Sequence, residues 1–191
     1  NGTNPAHLQL QGRTLKEVLA APPDRGQNLV DIGAYCLMPN HFHLIVREKE
    51  DRGISKFMQK LGNGYTGYFN VLNERSGALF QGKFKAKHAS TDRYLSHLIS
   101  YIHLNPIKLI EPDWKETGVR DLAAAENYLE QFRYSSYRDY LGVSRIENAI
   151  INKAALPAYS DSPKDFRATH RDWLQNREDS IEVEPRYRGS T

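Results

Sequence analysis

Two histidines and one tyrosine are the residues of this chain best suited to chemistry. His41 and His43 stand in the run Tyr35-Cys36-Leu37-Met38-Pro39-Asn40-His41-Phe42-His43-Leu44-Ile45-Val46. The run reads as the end of one strand, a tight turn at Pro39-Asn40, and the start of a second strand. Side chains alternate along a strand, so His41, His43 and Ile45 share one face while Phe42, Leu44 and Val46 share the other. Two imidazoles two residues apart on one face can bind a single metal ion, although short His-x-His pairs also occur in ordinary strands. The apolar face of Phe42, Leu44 and Val46 is expected to anchor the strand in the core.

The tyrosine comes later in the chain. Thr91-Asp92 supplies a helix cap, and residues 93–105 read as a helix that Pro106 stops. Tyr94, His97, Tyr101 and Asn105 recur at steps of three, four and four, and so share one helix face. Leu95, Leu98, Ile99 and Ile102 form the side expected to be buried. Alone, that stripe also fits a tyrosine covering the core edge, with Asn105 bonding the helix C-terminus. Joined to the histidine strand, it makes a reaction. A tyrosine hydroxyl, of unperturbed pKa ~10, attacks phosphodiesters when a divalent cation polarises the phosphate. His41, His43 and the amide oxygen of Asn105 would hold that cation with open positions. Attack would leave a covalent phosphotyrosine and a free hydroxyl, and the ester keeps the bond energy needed to rejoin the strand.

These side chains need elements to position them. Residues 29–37 and 41–47 form the expected hairpin, and 48–53 a charged connection. Ahead of it, Thr14 can cap a short helix through Leu15, Val18 and Leu19, which residues 22–26 end. Ile54, Phe57, Met58, Leu61, Tyr65, Tyr68, Phe69 and Leu72 recur at three-to-four spacing, the mark of an amphipathic helix that Ser76-Gly77 closes. Gly62, Gly64 and Gly67 inside it point to a kink or a close helix–sheet contact. Residues 78–89 then switch to period two, with Lys83, Lys85 and Lys87 on one face and Phe84 and Ala86 on the other. No acidic residue interrupts 81–91, so these lysines, with Arg93 beyond them, are candidate contacts for DNA phosphates. Further on, helices are expected at 122–132, 146–156 and 163–176. The last is capped by Ser162, with Phe166, Trp173 and Leu174 on one side.

Composition agrees with a folded domain carrying an appendage. Of 191 residues, 39% are hydrophobic and 26% charged. The formal net charge is only +3, so any affinity for nucleic acid must come from a local patch. No apolar run approaches a membrane span. The single Cys36 excludes an intramolecular disulfide and suits a reducing cytoplasm.

Cys36-Leu37-Met38-Pro39-Asn40-His41-Phe42-His43-Leu44, followed by Tyr101-Ile102-His103-Leu104-Asn105-Pro106, resembles the single-tyrosine HUH transposases, and within them the REP-associated group and its insertion-sequence relatives. The likeness extends from Val30 to Gly142, taking in 76–85 as the family's basic strand and 134–142 as the segment after the catalytic core. The resemblance implies an α+β fold: a ferredoxin-like antiparallel sheet with helices on one face, plus a helical C-terminal extension. The expected layout is an N-terminal excursion at 1–28, an HUH core at 29–110, the extension at 111–176 and a flexible tail at 177–191. The family places a strand and a helix ahead of the hairpin, and this chain opens after them on Asn1, so an N-terminal portion is expected to be missing from it. Carried over by position, Tyr101 is the nucleophile, His41 and His43 are metal ligands, and Asn105 is the third ligand, with His97 as an auxiliary group. The family also implies magnesium or manganese, single-stranded DNA recognised beside hairpins, a 5′-phosphotyrosine intermediate, and a place among the nucleoid DNA of a prokaryotic cytoplasm. Two imidazoles suit manganese better than magnesium on softness. Related enzymes include dimers that share active sites and others that work alone, so a homodimer is one of two expectations. Two other readings compete: a hairpin-DNA binder that does not cut, and a structural zinc site of His41, His43 and either Cys36 or His88.

Overall fold

A computed structural model describes residues 14–20, 27–157 and 162–176. The expected stop at 22–26 and the tail at 177–191 lie outside the described residues. Thr14 and Glu17 cap the first helix, α1 (Leu15–Ala20), reciprocally. The Thr14 amide donates to the Glu17 carboxylate at 2.7 Å and the Glu17 amide to the Thr14 hydroxyl at 3.3 Å. The hairpin follows as β1 (Val30–Leu37) and β2 (Phe42–Glu48), closed by the Met38 amide donating to the His41 carbonyl at 2.8 Å. These make a two-stranded antiparallel sheet, and with the helices that follow the class is α+β.

The chain divides into two compact units, one of residues 1–31 and 46–88, the other of residues 32–45 and 89–191. In the first, Arg47 and Lys49 hold the buried Asp31 carboxylate at 3.0 and 3.7 Å. Its helix α2 (Gly53–Leu72) forms where the periodicity predicts. Among the described residues the apolar stripe is only partly covered: Leu61, Tyr65, Tyr68 and Leu72 are exposed, Ile54, Phe57, Met58 and Phe69 are half-buried, and Gly53 is the buried residue of α2. Added Cβ atoms at Gly62, Gly64 and Gly67 would meet nothing within 4 Å among the described residues, which show no close helix–sheet contact there. Among the described residues, 83–89 join no sheet, and Lys83 through His88 are all exposed.

The second unit holds the main core: Ala34, Cys36, Ile45, Ile99, Ile102, Leu104, Ile107, Trp114, Leu129, Tyr137, Phe166 and Leu174 among others. Its helices are α3 (Asp92–Leu104), α4 (Trp114–Thr117), α5 (Leu122–Gln131), α6 (Tyr137–Tyr140) and α7 (Pro163–Asn176). A 3-10 turn, Asn105–Leu109, follows α3, and two more, Ile146–Ile150 and Lys153–Ala155, stand where one helix was expected. The segment before α6 returns to the sheet. The Leu37 amide donates to the Tyr134 carbonyl at 2.8 Å and the Ser136 amide to the Tyr35 carbonyl at 2.9 Å, making an antiparallel bridge between Cys36 and Ser135. β1 therefore has a hydrogen-bonded neighbour on each edge.

Helix α3 is buried on more sides than its aliphatic residues suggest. His103 lies fully enclosed against Tyr137, Tyr140, Phe166 and His170, with Nε2 2.7 Å from the Ser136 hydroxyl. Burial lowers the pKa of both imidazoles, that of His170 to about 4, and the neighbouring His170 further disfavours charge on His103. A histidine held neutral in the fold titrates near 6.5 once unfolded, so the unfolded chain binds more protons throughout that interval. Stability is complete above pH ~6.5 and falls as acid is added. From His170 alone, the unfolding free energy should drop by about 2 kcal/mol between pH ~7.5 and pH ~5. Urea denaturation at the two pH values measures this, and His170→Phe should flatten the difference.

Candidate active site

The site is built from one face of the hairpin and the C-terminal half of α3. Ile45 is the buried residue of β2 and joins the core with Ile99 and Ile102, while Phe42 and Leu44 are only half-buried. The histidine-bearing face is therefore the one turned to α3, not the Phe42–Leu44 face expected to anchor the strand. This orientation brings the chemistry together. The rings of His41 and His43 lie 4.9 Å apart, edge to face, and the His43 ring lies 5.7 Å from that of Tyr101, again edge to face. Tyr101 is held by a helix whose start is fixed by the Thr91 hydroxyl, which accepts from the Tyr94 amide at 3.2 Å.

Electrostatics favour a neutral imidazole at His41. Partial desolvation lowers its pKa, and the positive charge of Lys108 lowers it further. Its Nδ1 lies 2.7 Å from Asn40 Oδ1. An Nδ1 proton donated there leaves the Nε2 lone pair for a ligand, the usual arrangement of a metal-binding histidine. Asn105 is buried at the end of α3, and its Nδ2 donates to the Tyr101 carbonyl at 3.0 Å. Its amide nitrogen is thereby committed to the helix terminus, so the oxygen is the end with a ligand's chemistry. His97, also buried, packs its ring against Trp173 of α7 at 4.5 Å. Arg93 is exposed on the first turn of α3, and Lys83, Lys85 and Lys87 are exposed in the first unit.

Burial pushes the Cys36 thiol up to about 12, which keeps it a protonated core side chain. Among the described residues no three His, Cys, Asp or Glu side chains converge.

One side chain beside the site was not singled out from the sequence. Lys115 of α4 places its ammonium over the Tyr101 ring, 4.1 Å from the centroid. Both Lys108 and Lys115 fall after Pro106, where periodicity fades. A lysine beside an apolar anchor, Lys115 next to Trp114, was the only available signal.

Residues 15–105 match the family model described as Transposase IS200 like. Over that span the chain is similar to the IS200-like transposases, which supports a single-tyrosine transposase family for it. No curated protein and no solved structure matches the chain significantly. The matched span includes His41, His43, Tyr101 and Asn105 and ends at Asn105. That likeness supports a transposase-type function, that of a DNA-processing enzyme of transposition and recombination. No helix among the described residues is long and apolar enough to cross a membrane.

Proposed function

We propose that this protein is an IS200-like transposase, a metal-dependent single-stranded DNA endonuclease and strand transferase that acts beside DNA hairpins. The observation that carries the reading is the Tyr101 ring 5.7 Å from His43, with His41 next in line on the same face. The phenolic oxygen of Tyr101 attacks the scissile phosphorus and forms a 5′-phosphotyrosine. The bond from phosphorus to O3′ breaks, the phenolic proton passes to solvent, and the departing O3′ takes one up. Rejoining runs the same steps in reverse with a new 3′-hydroxyl. His41, His43 and the Asn105 amide oxygen are the residues that would hold a divalent cation, manganese or magnesium. Two neutral imidazoles and one amide oxygen leave such an ion its full charge, in keeping with an anionic substrate. The bound ion would supply Lewis-acid polarisation of the phosphate. Lys83, Lys85, Lys87 and Arg93, all exposed, are the proposed contacts for the DNA backbone.

The test is to incubate the chain with a hairpin carrying a single-stranded flank, in manganese, and to resolve protein–DNA adducts by denaturing electrophoresis. A covalent adduct that disappears in Tyr101→Phe is the expected result. Hairpin binding with no adduct from the unaltered chain would sink the proposal in favour of a protein that binds without cutting.

A further inference from the structure

We infer that Lys115 is a further catalytic group of this site, a cation that faces the phosphate oxygens as Tyr101 attacks. The inference rests on Tyr101 being the nucleophile. The ammonium stands 4.1 Å from the centroid of that ring, in cation–π contact with the side chain that attacks. A productive complex brings the phosphorus within about 3–3.5 Å of the phenolic oxygen. A cation over the same ring is then within reach of a non-bridging oxygen of that phosphate.

The fold, not chance, puts the ammonium there. Lys115 is half-buried and follows Trp114, which is sunk in the core. The short helix is closed by the Gly118 amide donating to the Trp114 carbonyl at 2.8 Å and by the Thr117 hydroxyl donating to the Asp113 carbonyl at 3.0 Å.

During attack the new bond forms between Tyr101 Oη and phosphorus as the bond to O3′ breaks, and negative charge gathers on the non-bridging oxygens. Lys115 stays protonated throughout and gives up nothing. It stabilises charge that is greatest in the transition state, which lowers the barrier more than it strengthens ground-state binding.

The experiment measures single-turnover adduct formation and hairpin affinity for the unaltered chain, Lys115→Met and Lys115→Arg, in manganese, with thermal unfolding as the check on the fold. Methionine keeps the stem of the side chain without its charge. The rate at saturating DNA should fall about 100-fold in Lys115→Met, with affinity changed far less, and arginine should restore it to within about tenfold. A saturating rate unchanged in Lys115→Met overturns the inference and leaves Tyr101 as nucleophile. So does a loss confined to affinity, which makes Lys115 an ordinary backbone contact. Arginine performing no better than methionine also overturns it, since the side chain then serves packing. No adduct from the unaltered chain removes the Tyr101 reading itself and the role of Lys115 with it.

Discussion

Replacing His41 with alanine should slow adduct formation about 1,000-fold while leaving hairpin affinity and the thermal midpoint nearly unchanged. The size follows from losing several kcal/mol of charge stabilisation at the phosphate if one of two imidazole ligands is removed. The selectivity follows from position. His41 is exposed and precedes β2, so its loss opens no cavity and breaks no ladder. Its recorded polar partner is the neighbouring Asn40. Single-turnover kinetics over a manganese titration is the appropriate measurement, because a weakened ligand set should also demand more metal. Cleavage by His41→Ala at the unaltered rate would remove the metal assignment altogether.

The second large effect is on stability. Arg145→Met should cost about 3–5 kcal/mol, read as a lower urea midpoint, because it strands a buried carboxylate. Asp139 is fully buried and Arg145 nearly so, and the pair is in direct contact. The same guanidinium donates to the Arg133 carbonyl at 2.7 Å, the Ser135 carbonyl at 2.6 Å and the Tyr35 hydroxyl at 2.9 Å. Asn148 and Lys153 complete the cluster, Nδ2 donating to Asp139 Oδ1 at 2.8 Å and Nζ to its carbonyl at 2.6 Å. Combining Arg145→Met with Asp139→Asn should recover part of the loss, since the uncompensated charge is the larger share of it. If Arg145→Met unfolds at the unaltered urea concentration, the cluster is not a keystone of this unit.

Much of the site was legible in the sequence because it depends on local rules. A strand's alternation put His41 and His43 together, and helical spacing with a cap at Thr91 and a stop at Pro106 placed Tyr101 and Asn105 on one face. The helices at Leu122–Gln131 and Pro163–Asn176 carried similarly strong local signals. What escaped depends on distant partners. Alternation at Lys83, Lys85 and Lys87 suggested a strand, whereas among the described residues 83–89 join no sheet. The stripe on α2 announced an apolar face and said nothing about what covers it. Which face of β2 meets the core was settled by α3, and Ile45 sits on the histidine side. Lys115 reaches Tyr101 through the burial of Trp114, and His103 and His170 meet across 67 residues of sequence (170 − 103). Neither relation leaves a periodic trace.

The neighbour that β1 finds in residues 134–136 bears on the order in which the molecule is made. Histidines and tyrosine alike leave the ribosome well before Ser135, Asp139 and Arg145. Until those residues emerge, the strand leading into the turn lacks its second edge and Tyr35 lacks its guanidinium. A nascent chain therefore carries His41, His43 and Tyr101 before the residues that frame the strand leading to the turn have been made.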